Sequence, residues 1–433
     1  MMTRLMKYSP RFRLQPTADQ RQLLDWTRDT VRQTYNHALY RFNQIDESEG
    51  TLNQRVRKVR DELPDLKEWW TDLTNVYSTV LQQAVERIEQ NITSLGELKD
   101  RGYNVGSLNW KAPRDFRSFT YRQRGFELDK KSGSDDHAII TLKKVRGETL
   151  EIPVRMHRDL PDHEAIKTVT IKKEPTGAWF VSFCIETVKP DKPDIETIDS
   201  KDTVGIDLGI INLIRDSDGR SVGRLDLSDD RERLEREQRA LSRKQNGSNN
   251  WEKQRRVVAE IHETMSDKKR DLKHKLAYFY TTRYDAVFLE DLNVKSMLEG
   301  PQNARNKAEV GWRGLLEIFQ HHGEKHGCHV VEVDSHGTSK ECAACGVETP
   351  KPVWVREHSC PACGYTAGRD ENASFVIQKR GLSELGVGHS EVTPAETGTA
   401  TLTTFTNSGG TVSARRVVET GSPTLKEPAK AGE

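Results

Sequence analysis

Two close pairs of cysteines give the strongest chemical signal in the chain: Cys342 and Cys345 in Cys-Ala-Ala-Cys-Gly, then Cys360 and Cys363 in Cys-Pro-Ala-Cys-Gly. Each spacing puts two thiolates on one tight turn, and the glycine after the second relieves the backbone there. Four sulfur ligands close a tetrahedron and leave no position for water, so the metal expected is a structural Zn(2+). A redox or disulfide pair is the competing use, but in a chain without a secretion signal the spacing speaks for metal. His358 could stand in for a cysteine, although four thiols make it unnecessary. Cys184 and Cys328 sit alone in strand-like surroundings and are expected to be buried small hydrophobes.

Three carboxylates form the second group: Asp207 in Gly-Ile-Asp-Leu-Gly, Glu290 in Val-Phe-Leu-Glu-Asp-Leu, and Asp370 in Gly-Arg-Asp-Glu-Asn-Ala-Ser. Phosphodiester hydrolysis with two Mg(2+) ions about 4 Å apart needs such hard oxygen ligands, to activate water and neutralise the leaving oxygen. An Asp inside an apolar strand is costly to bury without a cation or donor, which lifts Asp207 above the background. Glu290 follows Val287, Phe288 and Leu289 and earns the same treatment. Any one of the three alone is as well read as a structural acid; their weight comes from fitting one template together. Glu371 and Asp291 are adjacent acids that leave the assignment open by one residue.

Periodicity names the elements that must position these groups. Strands are expected at 204–207 and 210–215, closed by a turn at 216–219, then at 286–290 and 329–334, with a helix at 312–325 stopped by Gly327. Alternation of strands and helices implies an α/β core. Two charged helices, 229–245 and 251–280, are separated by Asn246-Gly247-Ser248-Asn249. Val258, Ile261, Met265, Leu272, Leu276 and Phe279 give the second a three-four spacing, so the pair is expected to form an antiparallel hairpin with a solvated basic face.

Earlier in the chain a short strand at 11–14 precedes a helix whose Thr17-x-x-Gln20 spacing fits a capping box. Leu24, Val31, Tyr35 and Phe42 carry its apolar face. A second helix is expected at 73–98, with Val80, Leu81, Val85, Ile88, Ile92 and Leu95 on one side. From 116 to 186 the pattern changes to alternation and turns, which marks a β domain, and 190–202 has the composition of a linker. If the strand at 11–14 joins that domain, the helices are an insertion within it.

The chain has 433 residues, 34% hydrophobic and 31% charged, and a net charge of +1. No apolar run is long enough to span a membrane, and a cytoplasmic location is expected. The small net charge does not decide for or against a polyanionic partner, but its distribution is uneven. Between Arg101 and Lys131 there are eight Lys/Arg against three Asp/Glu, interleaved with Tyr103, Trp110, Phe116, Phe119, Tyr121 and Phe126. Such a mixture suits a surface that pairs phosphates and stacks bases, or equally a β-rich segment whose aromatics are core. After Arg380 large apolar residues become rare, and 381–433 is read as a disordered tail.

These residues resemble TnpB, the accessory protein of many bacterial and archaeal insertion sequences, and more distantly the type V CRISPR effectors. The resemblance runs in order through Arg32-Gln-Thr-Tyr-Asn36, Ser118-Phe-Thr-Tyr121, Gly205-Ile-Asp-Leu-Gly209, Leu241-Ser-Arg243 with Asn246-Gly-Ser248, and Leu289-Glu-Asp-Leu-Asn293. It continues in Thr338-Ser-Lys340, the cysteine pairs, and Arg369-Asp370 before Asn372-Ala373. It implies a multidomain α+β fold: a β-barrel-like, wedge-like domain (1–15 and 105–195) with an inserted helical recognition module (16–104). An RNase H-like (RuvC) core (201–334 and 365–380) would follow, with an inserted helical hairpin and a zinc ribbon (335–364).

The activity it implies is RNA-guided, Mg-dependent cutting of double-stranded DNA beside a short flanking motif, with a guide RNA from the element end. Asp207, Glu290 and Asp370 would be the RuvC carboxylates, and Cys342, Cys345, Cys360 and Cys363 the zinc ligands. Members commonly read Asp-Arg-Asp at the third motif, whereas here Gly368 precedes Arg369 and Asp370. A guided DNA-binding regulator with a decayed core is the competing possibility, and retention of all three acids argues for activity. A strand-transferring transposase would need a Tyr in a His-rich metal site, for which no arrangement is visible in the sequence.

Overall fold

Short alternating runs and two long amphipathic helices account for the first half of the chain. The computed structural model describes residues 5–130, 137–161, 165–209, 212–292, 311–352, 354–387, 404–407 and 410–413. It divides into two units, the first being Arg4–Val188 with Glu237–Glu260. That unit's strands are β1 (Leu5–Tyr8), β2 (Arg11–Leu14), β3 (Ser118–Arg122), β4 (Phe126–Lys130), β5 (His137–Val145), β6 (Glu148–Arg155), β7 (Ile166–Lys173) and β8 (Trp179–Val188). They form one sheet in the order β3-β7-β8-β2-β6-β5-β4, with β1 also paired to β8. Along β8 the period of two buries Trp179, Val181, Phe183 and Ile185.

Between β2 and β3 lie α1 (Ala18–Phe42), α2 (Leu52–Asp61), α3 (Leu63–Trp69) and α4 (Ser78–Asp100). Since β2 pairs with both β6 and β8, the helices interrupt a sheet that the chain leaves and rejoins. Thr17 caps α1 reciprocally with Gln20. Leu24, Val31, Tyr35 and Phe42 then pack with Val80, Leu81, Val85 and Ile88 of α4 into the same core as the strands. α4 starts at Ser78 and not at 73, because a 3-10 turn, Thr71–Asn75, and extended Val76 come first. The aromatics between 101 and 131 divide: Phe116, Phe119, Tyr121 and Phe126 are core, while Tyr103 and Trp110 are exposed.

The second unit comprises the described parts of Lys189–Arg236 and Ile261–Glu433. Its strands β9 (Thr203–Leu208), β10 (Asn212–Asp216), β11 (Ser221–Gly223), β12 (Ala286–Asp291) and β13 (His329–Asp334) form a sheet in the order β11-β10-β9-β12-β13. The β9, β10 and β11 pairings are antiparallel, whereas β12 is parallel to both β9 and β13. Parallel neighbours need long crossovers. α5 (Ser228–Ser242) and α6 (Asn249–Thr281) precede β12, and α7 (Trp312–His326) joins β12 to β13. α5 and α6 run antiparallel, with Gln254 bonded to Glu237 and Lys268 to Asp230, and α5 buries none of its residues.

Strand alternation sorts the two faces of this sheet. Val204, Ile206 and Leu208 of β9 and Val287 and Leu289 of β12 pack on α6 and α7. Ala286 and Phe288 of β12 pack instead on Ile377 and Leu382 of the last long helix, α8 (Arg369–Leu385). Both faces are thus covered, as parallel strands require. By the same alternation Asp207 and Glu290 belong to the α8 face. A Cβ on Gly205 would lie 2.1 Å from the Ser374 carbonyl oxygen, and one on Gly381 2.1 Å from the Phe288 ring. Only glycine lets α8 sit this low on β9 and β12.

Other boundaries in the second unit also differ from expectation. The partner of β9 is Asn212–Asp216, and residues 210 and 211 lie outside the described residues. α8 runs to Leu385, so 381–385 belong to the helix and not to the tail; the stop comes at Gly386, with a left-handed φ of 83°. Farther on, β16 (Thr404–Asn407) and β17 (Gly410–Ser413) pair antiparallel, contrary to a wholly unstructured tail, the rest of which lies outside the described residues. Two short strands precede α8, β14 (Glu357–Ser359) and β15 (Thr366–Gly368). Among the described residues no helix is long and apolar enough to cross a membrane.

Candidate nuclease centre and metal site

β9 and β12 run in parallel register from Thr203 opposite Ala286 to Ile206 opposite Leu289, and the next residues along the two strands are Asp207 and Glu290. Neighbouring strands stand about 4.8 Å apart, and residues at paired positions share a face. Asp370 comes from a third element, the first turn of α8, whose packing on β9 the bare backbone of Gly205 permits.

Burial pushes the Asp207 carboxyl well above its usual range, and the charges of Glu290 and Asp370 push it further, against Arg369 and Arg356. Burial also pushes Glu290 up to about 7, with Asp370 adding to the rise; the Thr338 hydroxyl, donating to Oε1 at 2.7 Å, and Arg380 hold it down. Holding Asp207 and Glu290 buried beside Asp370 carries a cost that a bound cation would offset. The donors are all carboxylate oxygens, a set that fits a hard divalent ion such as magnesium. Glu371 is engaged elsewhere, with Oε2 3.2 Å from Arg215 of β10, and Asp291 ends β12 at an exposed position opposite Asp334.

The four cysteines gather more tightly. Among the described residues they are the group whose metal-ligand atoms all lie within 4.8 Å of one another. Sγ of Cys342 is 3.7 Å from that of Cys363, and Sγ of Cys345 is 3.5 Å from that of Cys360. A tetrahedron with zinc–sulfur bonds of about 2.3 Å has edges of about 3.8 Å, so the cluster fits zinc. The two turns are alike. Gly346 and Gly364, both at φ 76°, donate to the carbonyls of Cys342 and Cys360. Cys342 and Cys360 in turn donate to Val347 and Tyr365. His358 is fully buried, its Nδ1 2.6 Å from Lys351 Nζ, and takes no place among the sulfurs. Of the two lone cysteines Cys328 is buried, its thiol pushed up to about 12 by burial, whereas Cys184 is only half-buried.

Several residues acquire roles that the sequence alone did not reveal. Thr338 orients Glu290, and Gly205 admits α8. Asn372, fully buried, donates to the Glu341 carbonyl and accepts from the Ala343 amide, which lies in the first cysteine turn. The signal for Asn372 was a polar residue among apolar ones on a helix face that must be inside. At Gly368, an added Cβ would meet only Glu371 at ordinary contact distance, so the departure from the Asp common in the resembling family leaves room for a side chain. His274, His322 and His326 also meet between α6 and α7, where burial holds the His322 imidazole down to about 3; this is helix packing rather than a ligand set.

Three family profiles match the chain: a "Probable transposase" profile of the OrfB type from IS605 elements over residues 182–300, a "Cas12f1-like, TNB domain" over 312–377, and the "Helix-turn-helix domain" of the same OrfB group over 2–48. A Streptomyces pristinaespiralis protein named "Putative RNA-guided DNA endonuclease" is 31% identical over 396 residues, 89% of this chain and 92% of its own length. Escherichia coli K12 "Putative RNA-guided DNA endonuclease InsQ" is 28% identical over 52% of this chain and 58% of its own. Among solved structures, a Cas12f1–sgRNA–target DNA complex shares the fold with a TM-score of 0.51 at 16% identity, over 83% of this chain and 81% of that one. With a relative of that identity matched along most of both lengths, and with the motifs in their order on the sheet just described, this chain belongs to the TnpB family, the OrfB proteins of IS605-type insertion sequences.

Proposed function

We propose that the chain is an RNA-guided, Mg-dependent DNA endonuclease of an insertion sequence, cutting double-stranded target DNA beside a short flanking motif. The observation that carries this is the placement of Asp207 and Glu290 side by side at the ends of β9 and β12, with the charge of Asp370 from α8 acting on both. The order and directions of the second sheet support an RNase H-like core of the RuvC type, comprising 201–334 and 365–380, with 335–364 as its zinc ribbon. Asp207, Glu290 and Asp370 would hold the ions; bound magnesium would supply an activated water and neutralise the leaving oxygen. Thr338 holds the Glu290 carboxylate in one orientation, and the glycine contacts bring α8 close enough for Asp370 to act with it.

The relatives named RNA-guided endonucleases support a guide RNA, here one copied from the element end. Sequence would then be read by base pairing, with the β domain and its helices gripping the guide and the flanking motif. Cutting an emptied donor site would let repair restore the element. The test is to purify the protein from cells carrying its native element, sequence the bound RNA, and assay Mg(2+)-dependent cutting of DNA matching it. Asp207→Ala and Glu290→Ala are expected to abolish cutting while RNA and target binding stay nearly unchanged, because each removes a metal ligand and no phosphate contact. Bound RNA without cutting in the unaltered protein would indicate a DNA-binding regulator, and absence of RNA would refute a guided activity.

A further inference from the structure

The first turn of α8 uses three consecutive residues on three different neighbours. Asp370 acts on the acids of β9 and β12. Glu371 pairs with Arg215, a cation only 9% exposed on β10, where it lies directly opposite Asp207 in register. Asn372, with no exposed surface, uses both ends of its amide on the first cysteine turn: Nδ2 donates to Glu341 O at 2.7 Å and Oδ1 accepts from Ala343 N at 2.9 Å. The helix start has no side-chain cap at Gly368 to hold it otherwise. A residue followed directly by two such anchors has little freedom to move relative to either.

We infer that Glu371 and Asn372 are positioning residues for the nuclease, which hook the start of α8 to β10 and to the zinc turn and so set Asp370 against Asp207 and Glu290. This rests on the nuclease reading of the three acids. A buried Asn that merely fills space would need its amide satisfied by any partner. Here both partners lie on the cysteine turn, and the residue two places before it is the third acid. The zinc ribbon thereby acts as a template for the magnesium site, although no cysteine touches it. Partners that orient metal ligands in this way typically contribute about ten- to hundredfold in metal affinity.

The experiment measures three quantities on the full-length protein with its co-purified RNA: zinc content, Mn(2+) affinity by electron paramagnetic resonance, and the Mg(2+) concentration for half-maximal guided cutting. Asn372→Ala is expected to retain one zinc per chain, lose about ten- to hundredfold in Mn(2+) affinity and need correspondingly more Mg(2+). Cutting at saturating Mg(2+) should largely recover, which a general folding defect would not allow. Asn372→Asp keeps the acceptor for Ala343 and should fall between the two. Glu371→Gln, which keeps both Asn372 bonds to the first cysteine turn, should move Mn(2+) affinity in the same direction and decides the matter if Asn372→Ala does not fold. Unchanged Mn(2+) affinity in Asn372→Ala and Glu371→Gln, or zinc loss in Asn372→Ala with an unaffected Glu371→Gln, would overturn the inference. Asp370→Ala separates the two levels: if it binds Mn(2+) and cuts normally the nuclease reading itself fails, whereas a dead Asp370→Ala beside normal Asn372→Ala and Glu371→Gln sinks only the positioning role.

Discussion

Glu290 has one oxygen bonded to Thr338 and almost no contact with solvent, and its surroundings fix the sign of its response to pH. Its carboxyl rises from 4.5 to about 7 in the metal-free fold, chiefly through burial. Between those values the folded chain holds a proton that the unfolded chain has released. The group therefore costs nothing below its unfolded pKa and increasingly destabilises the metal-free fold as pH rises through about 7, and Asp207 acts in the same direction. An ion that binds the ionised acids competes with that proton, so its stabilising effect grows over the same window. Thermal unfolding with Mg(2+) and with chelator should differ little at about pH 5.5 and clearly at about pH 8, and Glu290→Gln should flatten the dependence. An Mg(2+) shift of equal size at both values would mean that the ion does not meet this carboxylate.

α8 is the element on which the proposed centre depends, and two glycines determine how closely it packs. A methyl group on Gly205 would meet the Ser374 carbonyl oxygen at 2.1 Å and the Gln378 amide nitrogen at 2.5 Å, both backbone atoms that cannot rotate away. Gly205→Ala should therefore cost about 1–3 kcal/mol in denaturant unfolding, the usual range for overpacking, and weaken cutting by lifting Asp370 off the strands. A neutral Gly205→Ala would show that the helix slides freely. Most of the elements around this helix were legible because they repeat. β9, β12 and β13 are apolar runs, α1 announces itself with Thr17 and Gln20, and the cysteine turns carry their own glycines. α8 was not: its face mixes buried Asn372, Ser374 and Gln378 with apolar residues, because it packs against backbone and a metal turn as well as against a hydrophobic surface. α2 escaped for a related reason, burying only Val56 and Val59 in ten residues. The three acids proposed for the centre were read from sequence, but what would align them depends on partners far away in the chain, such as Arg215 for Glu371 and Ser374 beneath Gly205.

At the scale of the whole molecule, the apolar side chains fall into separate cores. One runs from Phe12 to Ile185 and joins the first sheet to α1 and α4; the others lie within the second unit, including a small one where Ala343 of the cysteine turn meets Phe375 and Val376 of α8. That small core is too slight to hold the ribbon by itself. Structural zinc contributes about 10–16 kcal/mol of binding free energy in peptides that fold around it, against the roughly 5–15 kcal/mol by which a whole domain is stable. Removing zinc should therefore release the ribbon and, through Asn372 and the Ala343 contact, the start of α8, while leaving the first core untouched. In calorimetry, chelation or Cys342→Ser should lower one unfolding transition and leave a second in place, with guided cutting lost. A single transition shifted as a whole would mean that the two units unfold together, and a zinc-free protein with normal cutting would show that the ribbon does not hold Asp370 in place.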